Sequence, residues 1–291
     1  MSTVAEPPAD GTPLGSLCEW VLGPTSFEEV CRLARDAALQ GVHLRGDRGP
    51  QDAERIRGVA EASGVRILGM TPAILWPRDG ADLSNPDPDV RARGLAYYRD
   101  LMELAARLDV PAVEIVPACE GRLEALSSAA EEWGLAVESL RRLAEHAAES
   151  GVALAVEPLN RYETYLVTRL EQAAAMVSEV GAERMGIVAD AFHMSIEERD
   201  PRAAIAAVGP FLSEVQLADS NRRAPGLGHL DVLGIIRAAR AAGYRGPWVM
   251  EFLPSDTEPS GPAEQSDLDS FRVEIETTMR SVLGEIGKES G

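Results

Sequence analysis

The chain has 291 residues, 45% of them hydrophobic, and a formal charge of −19 from 47 Asp and Glu against 28 Lys and Arg. That length suits one large α/β barrel or two smaller domains, and the apolar fraction is enough to bury a sizeable core. The acidity argues against nonspecific nucleic-acid binding, which needs basic surface, and no run reaches the roughly 18 uninterrupted apolar residues of a membrane span.

Residues 1–12 are Pro/Ala-rich, with neither a basic nor an apolar signal region, and read as a disordered tail ahead of a catalytic domain over 13–291. Cys18, Cys31 and Cys119 are too few and too scattered for a disulfide framework or a zinc knuckle, so a reducing cytoplasm is the default compartment. Leu14 to Leu22 is a first strand candidate. Thr25-Ser26 can cap a helix running to about Gln40, with Glu28 and Glu29 in its first turn. A strand at Gly41–Leu44, a helix at Gln51–Ser63 and a strand at Val65–Met70 follow, then a longer loop to Pro88. Asp89–Leu108 has helical periodicity, Ala112–Val116 is a fourth strand, and Ala125–Glu149 is a long helix. The remaining strands are Val152–Val156, Met185–Ala189, a run ending at Gln216-Leu217-Ala218-Asp219, and Pro247–Glu251. Helices are expected near Leu170–Val180, Ala203–Val208, Val232–Ala242 and Asp267–Gly287.

Strands that are apolar throughout, instead of alternating, are covered on both faces, and each is followed by a helix. An open doubly wound sheet is the alternative, but the Gly-rich phosphate fingerprint usual after its first strand is missing. The expected fold is a single closed (β/α)8 TIM barrel.

Barrel enzymes place reactive groups at the C-terminal ends of strands. Here the fifth strand delivers Glu157, the sixth Asp190, the seventh Gln216 and the eighth Glu251. Three carboxylates and an amide oxygen make a hard site suited to one divalent ion, Mn²⁺ first, with Mg²⁺ or Co²⁺ as alternatives. Such an ion polarises a carbonyl, which suits proton abstraction beside a ketone. Glu163, His193 and Arg222, on the same strand ends, can hydrogen-bond hydroxyls or carry a proton. His43 reads as a core histidine or a substrate contact. Cys119-Glu120-Gly121, Trp20 and Trp76 read as pocket walls or plain packing.

The segments Glu157-Pro-Leu-Asn-Arg-Tyr-Glu163, Asp190-Ala-Phe-His193 and Asp219-Ser-Asn-Arg222-Arg-Ala-Pro225-Gly-Leu-Gly228 resemble the xylose-isomerase-like sugar isomerase/epimerase superfamily. The likeness is to ketose 3-epimerases of the tagatose/psicose type and to hydroxypyruvate-isomerase-like relatives. It implies that Glu157 and Glu251 are ligands doubling as the acid/base pair on opposite faces of a bound ketose, with an enediolate between the two proton transfers. It makes Asp190 a pure ligand, and Glu163, His193 and Arg222 the groups that hold substrate oxygens. A homodimer or homotetramer is implied too. Gln216 departs from the epimerase pattern, which has histidine there, and is a feature of the related 3-dehydroshikimate dehydratases. The alternative reading is therefore a metal-dependent lyase of a cyclic polyhydroxy ketone. A metal-dead barrel and an endonuclease-IV-like nuclease are disfavoured by the complete carboxylate set and by a total of four histidines.

Overall fold

The computed structural model describes residues 14–257 and 267–287, so the expected tail at residues 1–12 lies outside the described residues. Eight parallel strands close into a barrel in chain order: β1 (Gly15–Cys18), β2 (Gly41–Gly46), β3 (Arg66–Pro72), β4 (Ala112–Ile115), β5 (Ala153–Val156), β6 (Met185–Asp190), β7 (Leu212–Leu217) and β8 (Trp248–Met250). The ring shuts through Ser16 opposite Val249 and Gln216 opposite Val249 in register.

Around it lie α1 (Phe27–Asp36), α2 (Ala53–Ser63), α3 (Pro88–Arg107), α4 (Ala129–Ser150), α5 (Leu170–Val180), α6 (Ala191–Glu197), α7 (Pro201–Ala207), α8 (Val232–Ala241) and α9 (Leu268–Gly287). Local chemistry sets their limits. Ser26 caps α1 by accepting from Glu29 N–H, and Ser128 caps α4 by accepting from Glu131 N–H. Gly151 ends α4 in the left-handed region at φ 77°, where a side chain would strain the backbone. α9 packs against α8 and α1 and completes the outer ring. The core between barrel and helices holds fully buried Leu17, Val42, Leu154, Ile187 and Trp248. Among the described residues no helix is long and apolar enough to cross a membrane.

Two expectations need correction. The first strand stops at Cys18, and residues 19–22 turn into a 3-10 helix that swings Trp20 over the barrel mouth. α6 was not expected: Asp190 both ends β6 and caps this helix by accepting from His193 N–H at 2.9 Å. The loops at the C-terminal ends of the strands are the long ones, notably 73–87, 116–128, 157–169 and 218–231, and they raise the walls of a pocket there.

Candidate active site

A cavity of about 740 Å³ opens at the C-terminal mouth of the barrel, large enough for a small polyhydroxy molecule. Glu157, Glu163, His193, Arg222 and Glu251 all line it, together with Trp20, Glu114, Glu120 and Phe192. Asp190 and Gln216 are buried and sit opposite each other in register on β6 and β7. The seven residues singled out from the sequence therefore converge on one end of the barrel.

Glu157 follows β5, and its backbone N–H continues the ladder by donating to Ile115 carbonyl oxygen at 2.9 Å. Its carboxyl hydrogen-bonds to that of Glu114 on β4. Burial, with Glu114 beside it, holds Glu157 well above the usual carboxylate range. Burial likewise pushes Glu114 up to about 7 against the pull of its Glu157 hydrogen bond. Glu251 follows β8 and accepts from Trp20 indole N–H at 2.5 Å. Burial is also the main force raising Glu251, with Arg222 opposing it and Asp190 adding to it.

Arg222 is the bridge between these acids. Its guanidinium lies 3.0 Å from Asp190 Oδ2 and 3.2 Å from Glu251 Oε1, with Trp20 and Phe192 rings 5.3 and 4.8 Å from its centre. Burial opposes its charge, yet Asp190 and Glu251 hold it above the ordinary arginine value. The residue is in the left-handed region at φ 59°, an uncommon conformation for a side chain of this size. The surrounding loop enforces it. Asp219 accepts from Ser220, Gly226 and Leu230 N–H groups at 2.7, 2.8 and 3.0 Å, and Arg222 N–H donates back to Asp219 carbonyl oxygen. The Pro225-Gly226-Leu227-Gly228 turn that follows β7 is pinned by these bonds.

His193 Nδ1 accepts from Asn160 backbone N–H at 3.2 Å and also meets Asn160 side-chain nitrogen at 2.8 Å. A backbone N–H can only donate, so the neutral ring carries its hydrogen on Nε2. Nε2 lies 3.8 Å from Glu157 Oε1 and 3.9 Å from Glu163 Oε2. Burial depresses His193 below its usual value and keeps it neutral. The ring thus presents an N–H donor to the cavity it lines. Glu163 is steadied by Asn160 Nδ2 at 2.7 Å, and burial with Glu163 nearby pushes Glu120 up to about 7.

The donor set fits a divalent cation. Ligand-type oxygens of Glu157 and Asp190 lie within 4.8 Å of each other, with a His193 ring nitrogen equally near but Nδ1 of that ring already engaged by Asn160. Two further buried oxygens, Gln216 Oε1 and Glu251 Oε2, have no hydrogen-bond partner. A buried acceptor left alone costs about 1–3 kcal/mol, so two such atoms near a carboxylate cluster suit a cation.

The sequence reading missed Glu114 and Glu214. Each is a lone acid inside an apolar strand, Ala-Val-Glu-Ile and Leu-Ser-Glu-Val-Gln-Leu, and Glu214 shares a face with Gln216 two residues on. Of the residues left open, Trp20 and Glu120 line the cavity, while His43 is buried in the barrel against Ser16 and Glu214. Cys18, Cys31 and Cys119 are free and buried.

Known proteins share this barrel fold. The family model described as a xylose isomerase-like TIM barrel matches residues 31–272. A D-psicose 3-epimerase of Ruminiclostridium cellulolyticum is 32% identical over 177 residues, 60% of this chain and 60% of that protein. The chain thus spans less than two thirds of that relative's length. A 3-dehydro-D-guloside 4-epimerase of Escherichia coli is 32% identical over 236 residues, 78% of this chain and 87% of that protein. The crystal structure of D-psicose 3-epimerase with D-tagatose from Clostridium cellulolyticum H10 superposes with a TM-score of 0.81 over 93% of this chain and 98% of that one, at 22% identity, a likeness of fold. By sequence match and barrel architecture together, the chain belongs to the xylose isomerase-like TIM-barrel family.

Proposed function

We propose that this protein is a divalent-metal-dependent epimerase or isomerase of a ketose or related polyhydroxy ketone. The observation that carries the reading is the pair of buried carboxyls, Glu157 and Glu251, which line one cavity with Arg222; Arg222 pairs with Asp190 and Glu251, and the buried Gln216 Oε1 is without a partner. Glu157, Asp190, Gln216 and Glu251 would hold the ion, with Mn²⁺ favoured and Mg²⁺ or Co²⁺ as alternatives. Bound there, the ion would polarise a ketone carbonyl and offset the negative charge that develops when the neighbouring carbon loses its proton.

The protein's own groups do the rest. One of the Glu157/Glu251 pair removes the proton from the carbon beside the carbonyl, and the other returns one to the opposite face. Glu114 hydrogen-bonds Glu157, and Trp20 N–H holds Glu251, so each carboxyl is fixed before substrate enters. His193 Nε2–H, Arg222 and Glu163 hold the oxygens at the carbonyl end of the substrate. Trp20 and Phe192 wall the cavity and exclude water. A cytoplasmic homodimer or homotetramer is the matching assembly.

The alternative, a dehydratase of a cyclic polyhydroxy ketone, is favoured by Gln216 alone. Both reactions begin with the same proton abstraction, so the product separates them. Incubation with Mn²⁺ and a panel of ketoses in deuterium oxide is expected to place deuterium on the carbon beside the carbonyl with inverted configuration. A product absorbing in the ultraviolet after loss of water, with no epimer from any ketose, would overturn the epimerase in favour of the lyase.

A further inference from the structure

A buried polar chain crosses the barrel interior below the cavity. Ser16 Oγ on β1 meets His43 Nδ1 on β2 at 2.7 Å, and His43 Nε2 meets Glu214 Oε2 on β7 at 2.7 Å. Glu214 Oε1 accepts from Gln216 Nε2 at 3.0 Å, and Glu114 Oε2 on β4 accepts from the same nitrogen at 3.0 Å. All five residues are buried, Gln216 completely. The ring of His43 has room because β3 carries Gly69 beside it, where a Cβ would stand 2.2 Å from Nε2.

A glutamine amide is nearly symmetric in shape and opposite in charge at its two ends. Only the oxygen binds a cation, so a ligand amide must be told which way to face. Here both N–H groups are taken by carboxylate oxygens, which leaves Oε1 pointing away from them and unpartnered. Turning the amide over would set its oxygen against two carboxylates and lose two charge-assisted bonds. We propose that Glu214, braced by His43 and Ser16 and aided by Glu114, is a positioning residue that locks the Gln216 amide with its oxygen toward the metal. The inference rests on the reading of Gln216 as a metal ligand. It assigns a task to a barrel interior that would otherwise be an expensive place for charge.

The test compares two substitutions. Glu214→Gln keeps an oxygen for the Gln216 N–H, and its own amide hydrogens satisfy His43 once the Ser16 hydroxyl turns from donor to acceptor. Glu214→Leu keeps neither. Partners that orient metal ligands change affinity by about 10–100-fold when removed. Calorimetric titration with Mn²⁺ is expected to show that weakening for Glu214→Leu and near-parental affinity for Glu214→Gln. On a Gln216→Leu background, Glu214→Leu should have no further effect on Mn²⁺ affinity, because its influence runs through the amide. Circular dichroism in chelator checks folding. If Glu214→Leu does not fold, His43→Leu, which releases Glu214 to turn away, carries the same comparison. Parental Mn²⁺ binding with Glu214→Leu unchanged, equal loss in both Glu214 variants, or loss that persists on the Gln216→Leu background would overturn the positioning role alone. A parent chain that takes up no Mn²⁺ would overturn the metal reading and this inference with it.

Discussion

Replacing Arg222 with methionine removes the guanidinium that lies 3.0 Å from Asp190 and 3.2 Å from Glu251 while keeping much of the side-chain volume. All three groups are buried, so the acids left behind gain little from solvent. Breaking a buried ion pair by removing one partner costs about 3–5 kcal/mol. Each kcal/mol moves the melting temperature of a large domain by roughly 2–4 °C, so the midpoint in chelator should fall by about 10 °C. Mn²⁺ offers the stranded carboxylates a replacement counter-charge, and binding to the folded state alone raises stability by mass action. The measurement is thermal unfolding of parent and Arg222→Met, each in EDTA and in saturating Mn²⁺. The variant is expected to melt lower in EDTA and to gain more from Mn²⁺ than the parent does. Equal midpoints in EDTA, or equal gains with the ion, would refute the claim that Arg222 balances the charge of Asp190 and Glu251.

Glu157→Gln and Glu251→Gln should each lower turnover by on the order of 10²–10⁴-fold while circular dichroism stays parental; near-parental activity in either variant with metal bound would remove it from the proton-transfer pair. Gly69→Ala drives a methyl to 2.2 Å from His43 Nε2, so it should cost about 1–3 kcal/mol in urea unfolding, and an unchanged midpoint would show that the ring has room elsewhere. Glu114 and Glu120 are raised to about 7, and Glu157 and Glu251 are also held high by burial, so the folded metal-free chain binds protons that the unfolded chain releases above about 4.3. Stability in EDTA should therefore fall as pH rises from about 5 to 8, and a flat or rising midpoint over that window would contradict the raised carboxyls.

The sequence made the barrel legible because its strands are apolar on both faces and several stop on a carboxylate. Asp190 and Glu251 stand out for that reason, and Glu157 does so even before a proline. The end of β1 was hidden because Glu19-Trp20-Val21-Leu22 stays mostly apolar through its turn into a 3-10 helix. α6 was hidden because one residue, Asp190, serves as strand end and helix cap together, and the helix has only 7 residues. Glu114, Glu214 and His43 illustrate a deeper limit. Their meaning lies in which strands face one another across a closed ring, and residues 43 and 214 touch only after the ring shuts. Periodicity along a strand reports which side a residue takes, not whom it meets there.

The indole of Trp20 donates to Glu251 and lies beside Arg222, while the indoles of Trp76, Trp133 and Trp248 make no described hydrogen bond to Glu251 or Arg222. The excited state of an indole responds to charge within a few ångströms, so the chain carries a native optical reporter beside Glu251 and Arg222. On the proposed reading, emission from Trp20, isolated by replacing the other three tryptophans with phenylalanine, would give a label-free signal for a cation or a sugar arriving at that carboxylate. Occupancy of the pocket becomes measurable on the timescale of a stopped-flow mixer, with no need for turnover at all.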